Sequence, residues 1–309
     1  MFSVVFPGQG SQKIGMIKDL YSKFDTIKQL FNDADDILEI PLKEIIFDGP
    51  DTKLNSTENT QPAIFLVSYC IFQIAKKEFN INLSKAKFFA GHSLGEYSAL
   101  ACADSLSFEE TLKILKKRGK FMQEAMPDNQ GAMLAVLGTG ASAVEEILYK
   151  KKNEYECFIA NDNSTQQVVV SGLDKDIDLF SNDLSSKKIK NIKLNVSAPF
   201  HCKYMRNASD KMKNFIDELN MKSPNVPIVS NVTAKEVISP NEIKTLLISQ
   251  IEEKVRWLES VNYMIKMGVK NFIEIGPGKV LSGLIKRINK DVKVISINCE
   301  EDIINLKND

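Results

Sequence analysis

The sequence of 309 residues predicts an α/β protein in which a small domain is inserted into a larger one built on a parallel sheet. Short apolar segments alternate with helical segments over residues 1–127 and again from residue 198 onwards, which is typical of a parallel sheet covered by helices on both faces. Between these parts the predicted order is β-α-β-β-α-β, the order of a ferredoxin-like unit. We therefore expect a large domain formed by residues 1–127 and 198–309 and a small domain formed by residues 128–197.

In the first part of the large domain, two local signals mark helix starts. Thr60 and Pro62 precede a run of apolar residues, which indicates a helix of the core. Ser107 and Glu110 have the spacing of a capping box, which opens a further helix. The predicted elements are a strand at 2–6, a glycine turn at 7–12, a helix at 63–75, a strand at 87–91, a helix at 96–103 and a helix from 108 to about 127.

The alternation of predicted strands and helices changes after residue 130, and the earlier pattern resumes after Pro199. The two short helices of the small domain would cover only one face of its sheet. The predicted elements there are strands at 132–137, 157–160, 168–171 and 189–196 and helices at 141–151 and 174–184, with a polar segment at 161–165 between the middle strands. Beyond Pro199 they are helices at 211–219, 241–251, 257–266 and 280–287 and strands at 226–232 and 272–275.

The composition is that of a globular protein without charge bias. Hydrophobic residues make up 43% of the chain, and 40 basic residues balance 40 acidic ones. A net charge of zero gives no reason to expect binding to nucleic acid or to a membrane surface. The longest apolar stretch, residues 63–75, is shorter than the roughly 20 residues that a membrane span requires.

The cysteine pattern points to a reducing compartment. The 5 cysteines are odd in number and form no C-x-x-C pair, so we expect neither a disulfide framework nor a metal site. The amino terminus lacks the basic start and the long apolar run of a signal peptide. These features predict a cytoplasmic protein.

The segment Gly91-His92-Ser93-Leu94-Gly95 is the strongest functional signal in the chain. It lies between a predicted strand and a predicted helix, which is the setting of a nucleophile elbow. Glycines two residues on either side of Ser93 permit the sharp turn that presents the hydroxyl. The following helix directs its free N–H groups towards the oxygen of a substrate.

A serine nucleophile requires a base, and the chain contains 2 histidines. His92 is adjacent to Ser93, and neighbouring side chains diverge around a tight elbow, so its geometry is unfavourable. His201 is therefore the predicted base. The alternative is that His201 is a surface or structural histidine.

Arg118 is the clue to the substrate. On the predicted helix from residue 108, it falls in the middle of the apolar half, between Ile114 and Met122. A buried guanidinium needs an anionic partner, and its fork matches a carboxylate. That partner is either a substrate carboxylate or an internal Asp or Glu in a structural ion pair.

The turn Gly8-Gln9-Gly10 could bring a backbone N–H beside that of Leu94, and two such amides make an oxyanion hole. The alternative is an ordinary glycine turn. No acidic residue is obviously placed to orient the histidine. An amide or a backbone carbonyl could serve instead, with Asn163 and Gln250 as candidates.

Several longer segments occur in one order along nearly the whole chain. In them the chain resembles the malonyl-CoA:acyl-carrier-protein transacylases, the freestanding acyltransferases of bacterial-type fatty acid synthesis. The segments are Phe6-Pro7-Gly8-Gln9-Gly10-Ser11-Gln12, Asn59-Thr60-Gln61-Pro62-Ala63, Gly91-His92-Ser93-Leu94-Gly95-Glu96-Tyr97-Ser98-Ala99-Leu100, Arg118-Gly119, Asn163-Ser164, His201 and Glu274-Ile275-Gly276-Pro277-Gly278-Lys279-Val280-Leu281.

The resemblance implies a hydrolase-like large subdomain with a ferredoxin-like insert, in agreement with the pattern above. It implies transfer of a malonyl group from malonyl-CoA to the phosphopantetheine thiol of acyl carrier protein through a malonyl-serine. Malonyl-CoA and acyl carrier protein are then the expected partners. We expect no cofactor or metal besides these substrates, and we expect a monomer.

The family's site residues are carried over position by position. Ser93 matches the nucleophile, His201 the base and Arg118 the anchor of the malonyl carboxylate. The backbone amides of Gln9 and Leu94 match the oxyanion hole. The resemblance thus implies a role for each of these residues.

Two further positions are expected to support the site. In the family a main-chain carbonyl at the position of Gln250 orients the histidine, and Asn163 is the second supporting candidate. The chain departs from the family pattern at Thr165-Gln166, where Pro-Gly is usual, and at Glu253-Lys254, where Asn-Pro is usual. These departures lie beside the two supporting positions.

Other functions stay open on the residues alone. A serine esterase or thioesterase, an acyltransferase for other acyl groups and an inert scaffold that binds carrier protein all share parts of this pattern. Because acyl carrier proteins are acidic, transfer to one predicts a basic docking surface, although for any single lysine the ordinary solvated role is the favoured interpretation. The candidates are Lys116, Lys117, Lys120, Lys187, Lys188, Lys190 and Lys193.

Overall fold

The computed structural model describes residues 1–127, 130–196 and 198–308. The predicted first and last residues of the small domain, Asp128 and Ser197, lie outside the described residues. Within the described part of the chain, no helix is both long and apolar enough to cross a membrane.

Two sheets organise the fold. The described strands are β1 (Phe2–Phe6), β2 (Phe89–Gly91), β3 (Gly131–Leu137), β4 (Cys157–Ser164), β5 (Gln167–Leu173), β6 (Asn191–Lys193), β7 (Ile228–Val229), β8 (Glu236–Val237), β9 (Asn271–Ile275) and β10 (Lys293–Ile297). The larger sheet has the order β10-β9-β1-β2-β7-β8 and is parallel except for the edge strand β8. The second sheet has the order β4-β5-β3-β6 and is antiparallel. The predicted α/β class is confirmed.

Helices cover both sheets. The described helices are α1 (Lys18–Lys23), α2 (Asp25–Leu38), α3 (Leu42–Phe47), α4 (Asp51–Asn55), α5 (Thr57–Lys77), α6 (Gly95–Cys102), α7 (Phe108–Gln123), α8 (Ala141–Lys150), α9 (Asp174–Ser186), α10 (Arg206–Asp217), α11 (Pro240–Ser249), α12 (Trp257–Lys266), α13 (Val280–Ile288) and α14 (Glu300–Asn308). The predicted capping box is present, because Ser107 Oγ accepts from the backbone of Glu110 and the Glu110 carboxylate accepts from the backbone of Ser107.

The larger sheet is buried on both faces. Successive strand side chains point to opposite faces, and in β1 Val4 and Phe6 join one apolar cluster while Val5 joins another. The first cluster includes α5 and α7, and the second includes α12 and α13. The expectation of a parallel sheet with helices on both sides is therefore confirmed.

The second sheet differs in what its two faces touch. Leu134 and Val136 of β3 pack with α8 and α9 in a separate cluster. Met133 and Ala135, on the other face, join the main core. Its helices cover one face, as expected. The opposite face packs into the main apolar cluster, which also contains residues of α5 and α7.

Several element boundaries differ from the prediction. Helix α5 begins at Thr57 and contains Pro62 in its interior. Strand β4 runs through the polar segment as far as Ser164, with register shifts between Ile159 and Asn161 and again before Ser164. The strands predicted at 189–196 and 226–232 are shorter, and α1 to α4, β8, β10 and α14 were not predicted.

Candidate active site

Ser93 lies on the turn between β2 and α6, and its backbone is in the left-handed region with a φ of 54°. A non-glycine residue held there costs about 1–3 kcal/mol. The glycines around it permit the close approach of chain segments that the turn requires. A Cβ on Gly91 would lie 1.9 Å from the backbone of Gly95, and a Cβ on Gly95 would lie 2.2 Å from the carbonyl oxygen of Phe6. The elbow predicted from the sequence is thus present.

The structure brings Ser93 and His201 together. His201 Nε2 lies 2.8 Å from Ser93 Oγ, and His201 Nδ1 lies 2.8 Å from the carbonyl oxygen of Gln250. A carbonyl oxygen can only accept, so Nδ1 must carry the proton. Nε2 therefore presents its lone pair to the serine hydroxyl, as a general base must.

His201 is held in its neutral form. Burial lowers its pKa to about 3, and the nearby positive charge of Arg118 acts in the same direction. The ring is almost completely enclosed, and its backbone also has a positive φ, at 58°. The predicted base is consequently available over the whole neutral pH range.

Arg118 lies on the buried face of α7, as predicted, and is only 1% exposed. Its guanidinium donates to Gln61 Oε1 at 2.8 Å, to Gln250 Oε1 at 2.8 Å and to Ser93 Oγ at 3.1 Å. It also lies 5.5 Å from the centre of the Tyr97 ring. Among the ion pairs of the described residues, none involves Arg118.

Gln9 and Leu94 both line the cavity beside Ser93. Leu94 occupies the N-cap position of α6. In the hydrogen bonds of the described residues, neither backbone N–H donates to a protein acceptor. Both amides are therefore free to donate to a substrate oxygen.

The two supporting candidates have different partners. Gln250 follows α11, and its carbonyl accepts from His201 despite the unusual Glu253-Lys254 that comes after it. Asn163, on β4, does not contact His201; its Oδ1 lies 2.8 Å from Nε2 of His92. Of the two ways of orienting His201 that the sequence left open, the backbone carbonyl is the one that the structure shows.

Three further residues complete the hydrogen bonding of the site and were assigned no role from the sequence. Gln61, on α5, accepts from Arg118. Glu96 and Asn231 lie behind Ser93 and are buried. Gln61 and Glu96 could have been found from the sequence, because they are polar residues of helices within the Asn59–Ala63 and Gly91–Leu100 motifs. Asn231 follows β7 and belongs to no such motif.

Burial raises the pKa of the Glu96 carboxyl to about 7, while hydrogen bonds from Gln250 and Asn231 act in the opposite direction. Burial also lowers the pKa of Arg118 and of His92. The site thus combines a buried cation, a neutral base and a buried carboxyl group.

A cavity of about 220 Å³ opens above the serine hydroxyl. Polar groups form part of its wall, and apolar side chains from the second sheet, from the segment that follows it and from α7 and α13 form the rest. Those side chains are Met122, Met133, Ala135, Val169, Leu194, Val196, Phe200, Val280, Leu281 and Leu284. The space suits a small acyl group with one charged end.

A serine on a nucleophile elbow with a neutral histidine beside it is typical of serine enzymes that act on acyl groups. Arg118, which has no ion pair among the described residues, suits an acyl group that carries a carboxylate. The chain belongs to the family described as acyl transferase domain, whose model matches residues 3–299. The resemblance found in the sequence is thereby confirmed.

The relatives agree on one activity by name. A malonyl CoA-acyl carrier protein transacylase of Bacillus subtilis (strain 168) is 42% identical over 97% of this chain and 94% of its own length. An enzyme of the same name from Staphylococcus aureus (strain MRSA252) is 39% identical over 97% of this chain and 96% of its own length.

Solved structures show the same fold. An acyl-carrier-protein-S-malonyltransferase from Bartonella henselae superimposes with a TM-score of 0.96 at 40% identity, covering 99% of this chain and 98% of the other. A malonyl-transacylase in complex with its type II PKS acyl-carrier protein superimposes with a TM-score of 0.95 at 35% identity, covering 100% of this chain and 99% of the other.

Proposed function

We propose that this protein transfers the malonyl group from malonyl-CoA to the phosphopantetheine thiol of acyl carrier protein, through a malonyl ester on Ser93. The family, the names of the relatives and the carrier-protein complex of one relative support this function. The observation that carries it is the buried guanidinium of Arg118, directed at the serine hydroxyl without a carboxylate partner in the described residues. Neutral acyl groups have no use for such a cation.

In the first half-reaction His201 takes the proton of Ser93 Oγ as this oxygen attacks the thioester carbon of malonyl-CoA. The 2.8 Å separation of the two atoms and the neutral imidazole support this role. The proton then passes from His201 Nε2 to the departing CoA sulfur. The carbon–sulfur bond breaks, and malonyl-Ser93 remains.

The second half-reaction reverses these steps with another thiol. The phosphopantetheine thiol gives its proton to His201 and attacks the ester carbonyl, which releases Ser93. Because one thioester replaces another, the exchange needs no external source of free energy. The proposal therefore requires no cofactor beyond the arm that the carrier protein brings.

The oxyanion of each tetrahedral intermediate is assigned to the backbone N–H groups of Gln9 and Leu94. Their free donors, their position on the cavity wall and the N-terminus of α6 support this assignment. One such donor is worth roughly 3–4 kcal/mol to a transition state. The carboxylate of the malonyl group is assigned to Arg118, and the orientation of His201 to Gln250.

We also propose that residues 128–197 form a distinct small domain within a large one of residues 1–127 and 198–309. The strands and helices of the second sheet, which all fall between Gly131 and Lys193, support these boundaries. We propose a cytoplasmic location and a monomer. The location is supported by the cysteines of the described residues, which are all free.

Intact-mass analysis tests the covalent step. The protein is incubated with malonyl-CoA, as wild type and as Ser93→Ala. We expect a malonyl-sized increment on the wild type alone, and its loss when a phosphopantetheine-bearing acyl carrier protein is added. Release of free CoA and malonate without an adduct would show a hydrolase instead.

A further inference from the structure

Glu96 is a buried carboxyl group that the proposed reaction does not use directly. It lies in the first turn of α6 and is 2% exposed. Its Oε2 accepts from Gln250 Nε2 at 2.7 Å and from the backbone N–H of Asn231 at 3.1 Å. A single oxygen atom of Glu96 thus binds two residues that are more than 130 positions away from it in the sequence.

Gln250 and Asn231 both form hydrogen bonds with the backbone of Ser93. Gln250 Nε2 donates to the carbonyl oxygen of Ser93 at 3.1 Å, and the N–H of Ser93 donates to Asn231 Oδ1 at 2.7 Å. Asn231 Nδ2 also donates to the carbonyl oxygen of Gly91 at 2.6 Å. Ser93 has a positive φ, so the surrounding contacts must hold it in its sparsely populated conformation.

The orientation of the Gln250 amide follows from its two neighbours. A guanidinium can only donate, and the Glu96 oxygen that faces Gln250 acts as an acceptor, since it also accepts from the Asn231 N–H. Glu96 therefore draws the NH₂ group of Gln250 to its own side and leaves Oε1 for Arg118, which donates to it at 2.8 Å. With the amide reversed, an oxygen would face the carboxylate and an NH₂ group the guanidinium.

We infer that Glu96 is a positioning residue for acyl transfer. Through Asn231 and Gln250 it fixes the strained elbow, and through Gln250 it fixes the direction of Arg118. Glu96 does not contact His201, whose Nδ1 donates to the Gln250 backbone carbonyl, so it is not a third member of a catalytic triad. The inference rests on the proposed role of Ser93 as nucleophile.

The test measures how fast Ser93 reacts in Glu96→Ala, Glu96→Gln and Glu96→Asp. Intact-mass kinetics follow two reagents, malonyl-CoA and a fluorophosphonate, which modifies activated serines without needing Arg118. We expect Glu96→Ala to slow both reactions at least 10-fold. Glu96→Gln should stay within about 3-fold of the wild type, because an amide oxygen can accept both N–H bonds.

A matched control separates positioning from general stability. Asp176, on α9, is another buried acidic residue, and it accepts from the backbone N–H of Glu156 at 3.2 Å; among the described residues it has no hydrogen bond to Ser93, Gln250 or Asn231. Asp176→Ala should lower the melting temperature and leave both reaction rates of the folded protein unchanged. A folded Glu96→Ala that reacts at the wild-type rate would overturn the inference.

The remaining outcomes are also decisive. If Glu96→Ala does not fold, Glu96→Asp replaces it, because a carboxylate shortened by one methylene withdraws the shared oxygen and should slow both reactions. Wild-type rates in that variant, or an equal loss in Glu96→Gln and Glu96→Ala, would refute the hydrogen-bond role. A wild type that reacts with the fluorophosphonate and not with malonyl-CoA would refute the proposed function and leave the role of Glu96 measurable.

Discussion

Arg118 carries its positive charge inside the protein, and its hydrogen-bond partners are all uncharged. Gln61 and Gln250 hold two of its nitrogen atoms, and the ring of Tyr97 lies beside it. The Glu96 carboxyl group is separated from it by the Gln250 amide. A buried cation in this setting gains most from an incoming anion.

This arrangement predicts the behaviour of Arg118→Ala. Loss of the charge-assisted hydrogen bonds should slow acylation of Ser93 by malonyl-CoA about 100-fold, which corresponds to about 2.7 kcal/mol. Acylation by acetyl-CoA should change less than about 3-fold or increase. Single-turnover measurements with both donors give the two rate constants.

Arg118→Lys provides the matched comparison, since it keeps the charge and loses the planar fork. It should recover part of the malonyl rate. An equal loss of malonyl and acetyl transfer in Arg118→Ala would assign a structural role to the residue.

The neutral state of His201 leads to a prediction about pH. The free side chain has a pKa of about 6.5, whereas burial and Arg118 lower the pKa of His201 to about 3. The active, neutral form is thus lost only when the pH falls towards that lower value. Acylation by acetyl-CoA should therefore stay nearly constant between about pH 5 and pH 7, with no inflection near the ordinary histidine pKa.

Removing the positive charge of Arg118 should shift the pH at which His201 becomes protonated. In Arg118→Ala the pKa of His201 should rise, because the arginine no longer opposes protonation. The acid limb of the acetyl-transfer profile should shift to higher pH than in the wild type. Because the pKa of Glu96 is about 7, Glu96→Gln is the reference: an inflection near pH 6.5 that persists in this variant would contradict the buried, neutral base.

Among the secondary-structure elements, the strongly periodic ones were predictable and the polar ones that form the site were not. The apolar part of α5 was found, whereas its first turns were missed because Thr57 and Gln61 are polar and yet buried. They are buried because they contact α7: the Thr57 N–H donates to Gln123, and Gln61 accepts from Arg118. The polar end of β4 was not predicted for the same reason, because Asn163 is buried in contact with His92.

The contact of the elbow with β1 predicts a sharp difference between two glycine substitutions. In Gly95→Ala the new Cβ would lie 2.2 Å from the carbonyl oxygen of Phe6, so α6 and β1 must separate. We expect the free energy of unfolding to fall by about 1–3 kcal/mol. The modification of Ser93 by malonyl-CoA should slow in parallel, because the elbow moves with α6.

Gly283→Ala is the control for this prediction. Gly283 is also a helical glycine, on α13, but outside its chain neighbours and the backbone of its own helix no atom lies within 4 Å of its added Cβ. Alanine there should leave stability unchanged or raise it by up to about 1 kcal/mol. Equal thermal melting curves for the two variants would show that the close approach of α6 and β1 has no energetic consequence.

Across the whole molecule, the site joins parts of the chain that sequence patterns treat separately. Ser93 could be assigned from its glycine motif, His201 because the chain contains only 2 histidines, and Arg118 from its place on the apolar half of a helix. Asn231 and the side-chain role of Gln250 depend on long-range packing of the C-terminal half against the elbow. No local pattern records such contacts, so the network behind the serine emerged only from the tertiary structure.

The tertiary structure also indicates which lysines are free to contact an acidic carrier protein. Several candidates are engaged in ion pairs and are already partly neutralised: Lys116 with Glu58, Lys120 with Glu124, Lys187 with Asp183, and Lys193 with Asp174 and Asp178. Lys117 forms no ion pair within the described residues but lies 4.2 Å from the centre of the Phe215 ring, whereas Lys188 and Lys190 are exposed and have neither an ion pair nor a ring contact there. They lie between α9 and β6, and the carbonyl oxygen of Lys190 accepts from Leu137, at the end of the strand whose Met133 and Ala135 line the cavity.

Charge reversal at this place should therefore affect the carrier protein and spare the first half-reaction. In Lys188→Glu/Lys190→Glu we expect the KM for acyl carrier protein to rise about 3- to 10-fold, with a weaker dependence on salt, because charges at the rim of an interface act on association. Formation of malonyl-Ser93 from malonyl-CoA should be unchanged, since neither lysine reaches the cavity wall. Lys77→Glu is the control: this exposed lysine ends α5, about 24 Å along the helix from Gln61. If the double variant and the control have the same KM for the carrier protein at low salt, these two lysines do not form the docking surface, and the carrier must approach the cavity from another side.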